Sequence, residues 1–130
     1  MSMEIFFDAE RKVSLNLEEE AQIEKITEKY WREYEGKDQY EGPGTFLPDG
    51  EDIIYSGTLR IPLEFMDEGA EGLEKMQEFL KYWLKWLSDV TCAVPKAKWD
   101  VRFEGIPLIW DEGIGWRMMS DQEFGNTEFR

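Results

Sequence analysis

AEGLEKMQEFLKYWLKWLSDV, residues 70–90, decides the fold. Leu73, Met76, Leu80, Trp83, Leu87 and Val90 recur three and four apart, the spacing of one helix face. At about 100° per residue, that set together with Leu84 covers roughly 120° of the helix. Phe79, Tyr82 and Trp86 widen the apolar sector by about another 80°. Glu74, Gln77, Glu78, Lys81, Lys85, Ser88 and Asp89 fill the remaining arc. A helix lying on a sheet needs an apolar arc of only ~100°. Something besides a sheet must therefore cover Phe79, Tyr82 and Trp86. One candidate is a neighbouring helix, or the loop at 36–52. The other is a partner surface, a second copy included, because Trp and Tyr are common interface anchors.

Upstream lies a second helix. Asn16 has the character of an N-cap, with Glu19 three residues on, and Glu18, Glu19 and Glu20 suit the positive end of the helix dipole. The pattern runs to about Glu35, with Gly36 as a C-terminal cap. Its apolar stripe is Ile23, Ile26, Tyr30 and Tyr34, with Trp31 beside it. Before it, Met3 to Phe7 and Val13 to Leu17 read as short strands around a charged turn, Asp8 to Lys12. Residues 36–52 read as a loop rich in Gly and Pro, and acidic. Ile53 to Phe65 reads as a strand, with Pro62 demanding an edge or a bulge. After Pro95, Trp99–Glu104, Ile106–Trp110 and Ile114–Met119 read as strands, the last two joined by the turn Asp111-Glu112-Gly113. Residues 1–119 form one expected domain, and 120–130 an expected fraying tail. The order predicts an α+β fold, two helices packed on one face of a mostly antiparallel sheet. A ferredoxin-like variant is the leading topology.

The 130 residues suit one domain with a single core. The net charge is −14 and unevenly spread. Residues 1–36 carry 5 basic and 10 acidic side chains, residues 37–69 carry 2 and 8, and residues 70–130 carry 8 and 11. Such a field repels nucleic acid and anionic lipid, and draws in basic protein surfaces. The bland alternative is that the charge only maintains solubility. Lone Cys92, flanked by Val90, Ala93 and Val94, reads as a buried small hydrophobe and points to a reducing, cytoplasmic setting. The N-terminus shows no signal-peptide pattern, and no apolar run approaches the ~20 residues of a membrane span.

There is no histidine. That removes histidine acid–base catalysis, Ser-His-Asp and Cys-His arrangements, and His-containing zinc sites. One cysteine removes Cys-rich metal ligation as well. No phosphate-cradling glycine motif occurs. Asp49, Glu51 and Asp52 lack calcium-loop spacing. Asp8-x-Glu10-x-Lys12 loosely matches the acid-plus-lysine pattern of metal-dependent nucleases, but the overall charge opposes holding a polyanion. A glycosidase-like carboxylate pair needs a larger cleft than a chain this size readily encloses. Lys96, Lys98, Arg102 and Arg117 are the only mild basic grouping, expected to pair with Asp100, Glu104 and Asp111. No enzyme activity, cofactor or metal is expected.

The expected role is binding. Glu20, Glu24 and Glu28 stand four apart on one helix face and, with Asp49, Glu51, Asp52, Asp67 and Glu68, form the candidate acidic surface. Phe79, Tyr82 and Trp86 are the candidate aromatic anchors. The partner expected is a basic protein, a nucleic-acid-processing enzyme, blocked by carboxylates that imitate phosphates. A phage or mobile-element inhibitor of restriction or CRISPR machinery would act so. The alternatives are an immunity protein against a basic toxin, and a homo-oligomeric accessory or small-ligand carrier.

Overall fold

The computed structural model describes residues 3–35, 42–46 and 50–118. The elements run β1 (Met3–Glu10), α1 (Leu17–Glu33), β2 (Gly44–Phe46), β3 (Ile53–Ile61), α2 (Glu64–Asp67), α3 (Gly69–Ala93), β4 (Lys98–Phe103), β5 (Ile106–Pro107), β6 (Ile109–Asp111) and β7 (Gly115–Arg117). Gly36, Asp49 and the tail 120–130 lie outside the described residues.

Strict alternation makes β1 the centre of the sheet. Ile5, Phe7 and Ala9 are buried, while Phe6, Asp8 and Glu10 point to the opposite, exposed face. The strand therefore continues through Asp8–Glu10, where a turn is expected from the charge. The five strands run in the order β2-β3-β1-β4-β5, and every neighbouring pair is antiparallel. β1 and β2 thus run parallel to each other with β3 between them, and β3 and β4 run parallel with β1 between them. The units β1-α1-β2 and β3-α3-β4 interleave, which is the connectivity of a ferredoxin-like sandwich. Strand β5 extends one edge, and β6–β7 forms a separate two-stranded hairpin.

One aromatic-rich core unites the covered sheet face with α1 and α3. Ile5, Phe7, Leu59, Ile61 and Val101 line that face. Helix α3 lies over it, with Trp86 edge-on to Phe7 at 5.7 Å. The buried face of α3 is Phe79, Trp83, Trp86, Leu87 and Val90. It is rotated from the expected stripe, so Leu73 is exposed rather than inward. Cys92 is exposed too, not buried, because it stands two positions past buried Val90, on the other side of the helix.

Two expected strands end early for local reasons. Val13–Ser14 joins no ladder, because Arg11 gathers it into a bend. The guanidinium donates to the carbonyls of Val13 (2.7 Å), Ser14 (3.1 Å) and Pro95 (2.9 Å). Leu17 then opens α1 behind a complete capping box, Asn16 accepting from Glu19 N and Glu19 accepting from Asn16 N. β3 stops at Ile61, before Pro62, whose ring has no N–H for a ladder. The chain turns there, with Phe65 N donating to the Pro62 carbonyl, and enters α2. The β6–β7 hairpin closes through Ile114 N on Asp111 O at 3.0 Å. It docks on α3 where Ser88 Oγ accepts from Trp116 N at 2.9 Å. Gly115 permits that approach, with a φ of 100° and no room for a Cβ beside Ser88 Oγ.

Candidate functional site

Phe79 and Trp86 are buried within the chain and Tyr82 is half-buried. The first helix covers them. Tyr34, the C-cap of α1, stacks on Tyr82 at 5.3 Å and meets Phe79 and Trp83 edge-on. Trp86 Nε1 donates to Thr27 Oγ1 at 3.1 Å. The Tyr82 hydroxyl donates to the Tyr30 carbonyl, and the Tyr30 hydroxyl donates to Asp89 at 2.6 Å. Burial, and for Tyr30 the Asp89 carboxylate, push both phenols above their ordinary range, so they stay neutral donors. The wide apolar arc of α3 is the seam between two helices.

The exterior of α1 carries a row of acids. Glu20, Glu24 and Glu28 are exposed on one flank, and none joins an ion pair among the described residues. Like charges four apart on a helix repel by about 0.2–0.5 kcal/mol per pair. Lys29 lies further round by the helical period, while Arg32 stands four past Glu28 and Lys25 three before it, so these cations partly offset the row at its C-terminal end. The same period places two apolar side chains at its ends. Leu17, 84% exposed, precedes Glu20 by three, and Trp31, 39% exposed, follows Glu28 by three. The spacing 3, 4, 4, 3 was visible in the sequence. Leu17 escapes notice there because the candidate strand Val13–Leu17 absorbs it, and Trp31 because it borders the core stripe. Trp31 does touch the interior, since its ring lies against the backbone of Gly42.

The other expected acids divide between two ends of the fold. Arg11 ties one end together: its N–H donates to Asp52 O at 2.8 Å, and its guanidinium holds both Glu19 carboxylate oxygens, at 2.9 and 2.7 Å. Glu51 and Asp52 thereby stand at the end of the fold where α1 begins, near Glu20. Asp67 and Glu68 lie beyond the far end of β3, and Glu68 is partly neutralised by Lys75 at 2.8 Å. Nine residues of extended strand set Glu51 and Asp52 about 30 Å from Asp67 and Glu68.

Arg11 also sets a pH dependence. Its hydrogen bonds, aided by the Asn16 N–H, lower the Glu19 carboxyl from 4.5 to about 2. A depressed carboxyl stabilises the fold above its unfolded value and stops doing so as pH falls through its folded value. The denaturant midpoint should therefore fall between pH 4.5 and about 2, and more shallowly in Glu19→Gln. Equal slopes in urea titrations of the two proteins across that window would contradict the clamp.

Of the expected basic grouping, two arginines pair and Lys96 and Lys98 make no ion pair among the described residues. Arg60 meets Glu4, Arg102 meets Asp100 and Arg117 meets Asp111. Glu104 instead accepts from Glu4 N. Asp8 and Glu10 line an open cleft of about 320 Å³ on the uncovered sheet face, with Ile53, Lys98, Trp99, Asp100 and Arg102. There Asp8 accepts from Ser56 Oγ at 2.7 Å. Among the described residues no group of three or more acids or thiols is placed to hold a metal ion, and no helix is long and apolar enough to cross a membrane. No family model, curated protein or solved structure matches the chain.

Proposed function

We propose that this protein is a non-enzymatic binding protein whose α1 flank occupies a basic, nucleic-acid-binding surface on a partner enzyme. The observation that carries this reading is the row Glu20, Glu24 and Glu28, exposed and without ion pairs among the described residues, bracketed by exposed Leu17 and Trp31. A like-charged row is mildly strained in the free protein. Cations placed along it relieve that repulsion, so the row prefers a basic partner to water. The carboxylates speed encounter by steering, while Leu17 and Trp31 supply apolar contact that slows departure. Glu51 and Asp52 extend the charge past the start of the helix. Carboxylates four apart along a helix rise by about 6 Å per step, close to the spacing of phosphates along one nucleic acid strand. The target fitting this reading is a nuclease or another nucleic-acid-processing enzyme, such as restriction or CRISPR machinery. A toxin nuclease as the captured protein would make the chain an immunity factor by the same chemistry.

The test is capture from a host lysate at low and raised salt, followed by competition between this protein and nucleic acid for the captured enzyme. Wild type should retain a basic nucleic-acid-binding protein, release it as salt rises, and displace its nucleic acid. The triple variant Glu20→Lys, Glu24→Lys, Glu28→Lys should lose at least ~100-fold in affinity, consistent with several close charge contacts. Its far-UV spectrum should stay native, since all three side chains face solvent. Undiminished competition by the triple variant rejects the proposal.

A further inference from the structure

At the end of the fold away from the Arg11 clamp, the chain turns from β3 through α2 into α3. Phe65 is buried there, edge-on to Phe79 at 6.2 Å. Burying Phe65 turns its neighbours out. Leu63 is 46% exposed, Met66 62% and Leu73 50%. These are three of the nine large hydrophobic side chains exposed among the described residues, gathered in one short stretch. Scattered apolar exposure needs no explanation, but a local concentration marks a contact surface. The same stretch, residues 63–74, contains Glu64, Asp67, Glu68, Glu71 and Glu74 and no basic residue. Only Glu68 has a cationic partner among the described residues, Lys75.

Exposed aliphatic side chains interleaved with carboxylates along residues 63–74 complement one kind of ligand closely. We propose that the α2–α3 corner docks a basic amphipathic helix of a partner protein, its apolar face on Leu63, Met66 and Leu73 and its lysines and arginines on Glu64, Asp67, Glu71 and Glu74. An anionic membrane would meet the same apolar groups but be repelled by the acids. A second copy of this chain would bring the same unpaired carboxylates against themselves. Met66 favours an adaptable contact, because its unbranched thioether side chain repacks readily against different partners. This surface goes beyond the α1 reading and shares no residue with the α1 row, although the C-terminal end of α1 comes to the same end of the fold, Tyr34 meeting Phe79 at 6.4 Å and Phe79 meeting Phe65 at 6.2 Å.

The probe is a short synthetic leucine–lysine amphipathic helix carrying a fluorescent label, titrated by anisotropy against the full chain. Wild type should bind it, with backbone NMR shifts centred on residues 63–75. Binding should weaken about tenfold in Met66→Ser with Leu73→Ser, and as much in Asp67→Lys with Glu71→Lys. A lysine–serine peptide of equal charge should bind far more weakly. The α1 triple variant should bind the leucine–lysine peptide at least half as well as wild type, which separates failure here from failure of the proposed function. Equal binding of the two peptides, shifts centred on α1, or self-association of the wild type abolished by Met66→Ser would each overturn the proposal.

Discussion

Replacing Trp86 with alanine should remove about 4 kcal/mol of stability, within the range for deleting a buried large aromatic. A domain of this size has about 5–15 kcal/mol in total, so this one change would remove a quarter or more of it. The reason is position. Trp86 is fully buried and is the place where three elements meet: its ring meets Phe7 of β1 at 5.7 Å and Trp83 of α3 at 6.2 Å, and its Nε1 holds Thr27 of α1. Trp86→Phe keeps most of the ring contact and loses the hydrogen bond. Thr27 still donates to the Ile23 carbonyl at 2.8 Å, so no donor is stranded. That variant should lose about 1–2 kcal/mol from the lost bond and the smaller ring. Urea unfolding followed by far-UV circular dichroism measures both. A loss under about 0.5 kcal/mol for Trp86→Ala would place the side chain at a surface and restore it as a partner anchor.

Gly72→Ala should cost about 3 kcal/mol, although alanine is the better helix former by about 1 kcal/mol. An added Cβ would sit 1.7 Å from the Phe65 carbonyl oxygen and 2.7 Å from its carbon. Those are backbone atoms, which cannot rotate aside as a side chain can. α2 would have to lift from α3, taking Phe65 away from Phe79 and disturbing the exposed Leu63–Met66 turn. Far-UV spectra should show native helix content in the fraction that folds, with a lower urea midpoint. The sign is the test, because propensity alone predicts a gain. A midpoint above wild type would mean that α2 is not held against Gly72.

Local chemistry was the legible part. The Asn16–Glu19 capping box depends on residues three apart and stands as the spacing predicts. The turn at Asp111–Gly113 and the pairs Arg102–Asp100 and Arg117–Asp111 are equally short-range. The strand order expected of a ferredoxin-like sheet follows from the sequence of elements and the few ways that helices and strands stack. Glu20, Glu24 and Glu28 share a flank because helical geometry requires it. What misled was a property with two solutions. A wide apolar arc says that Phe79, Tyr82 and Trp86 need cover, and it is silent on whether the cover is internal. The clamp of Arg11 was hidden for a related reason, since its partners Glu19, Asp52 and Pro95 are scattered along the chain.

Periodicity, caps and charge count are properties of neighbours on one strand or one helix, so the amino-acid order determined the α+β architecture, the acidic excess and the loss of histidine chemistry. Packing between distant segments determined the rest. Placing α1 beside α3 turned the aromatics inward and the glutamates outward. The length of β3 set Glu51 and Asp52 at one end of the fold and Asp67 and Glu68 at the other. Burial is a relation between surfaces brought together by folding, and it exists in no single segment.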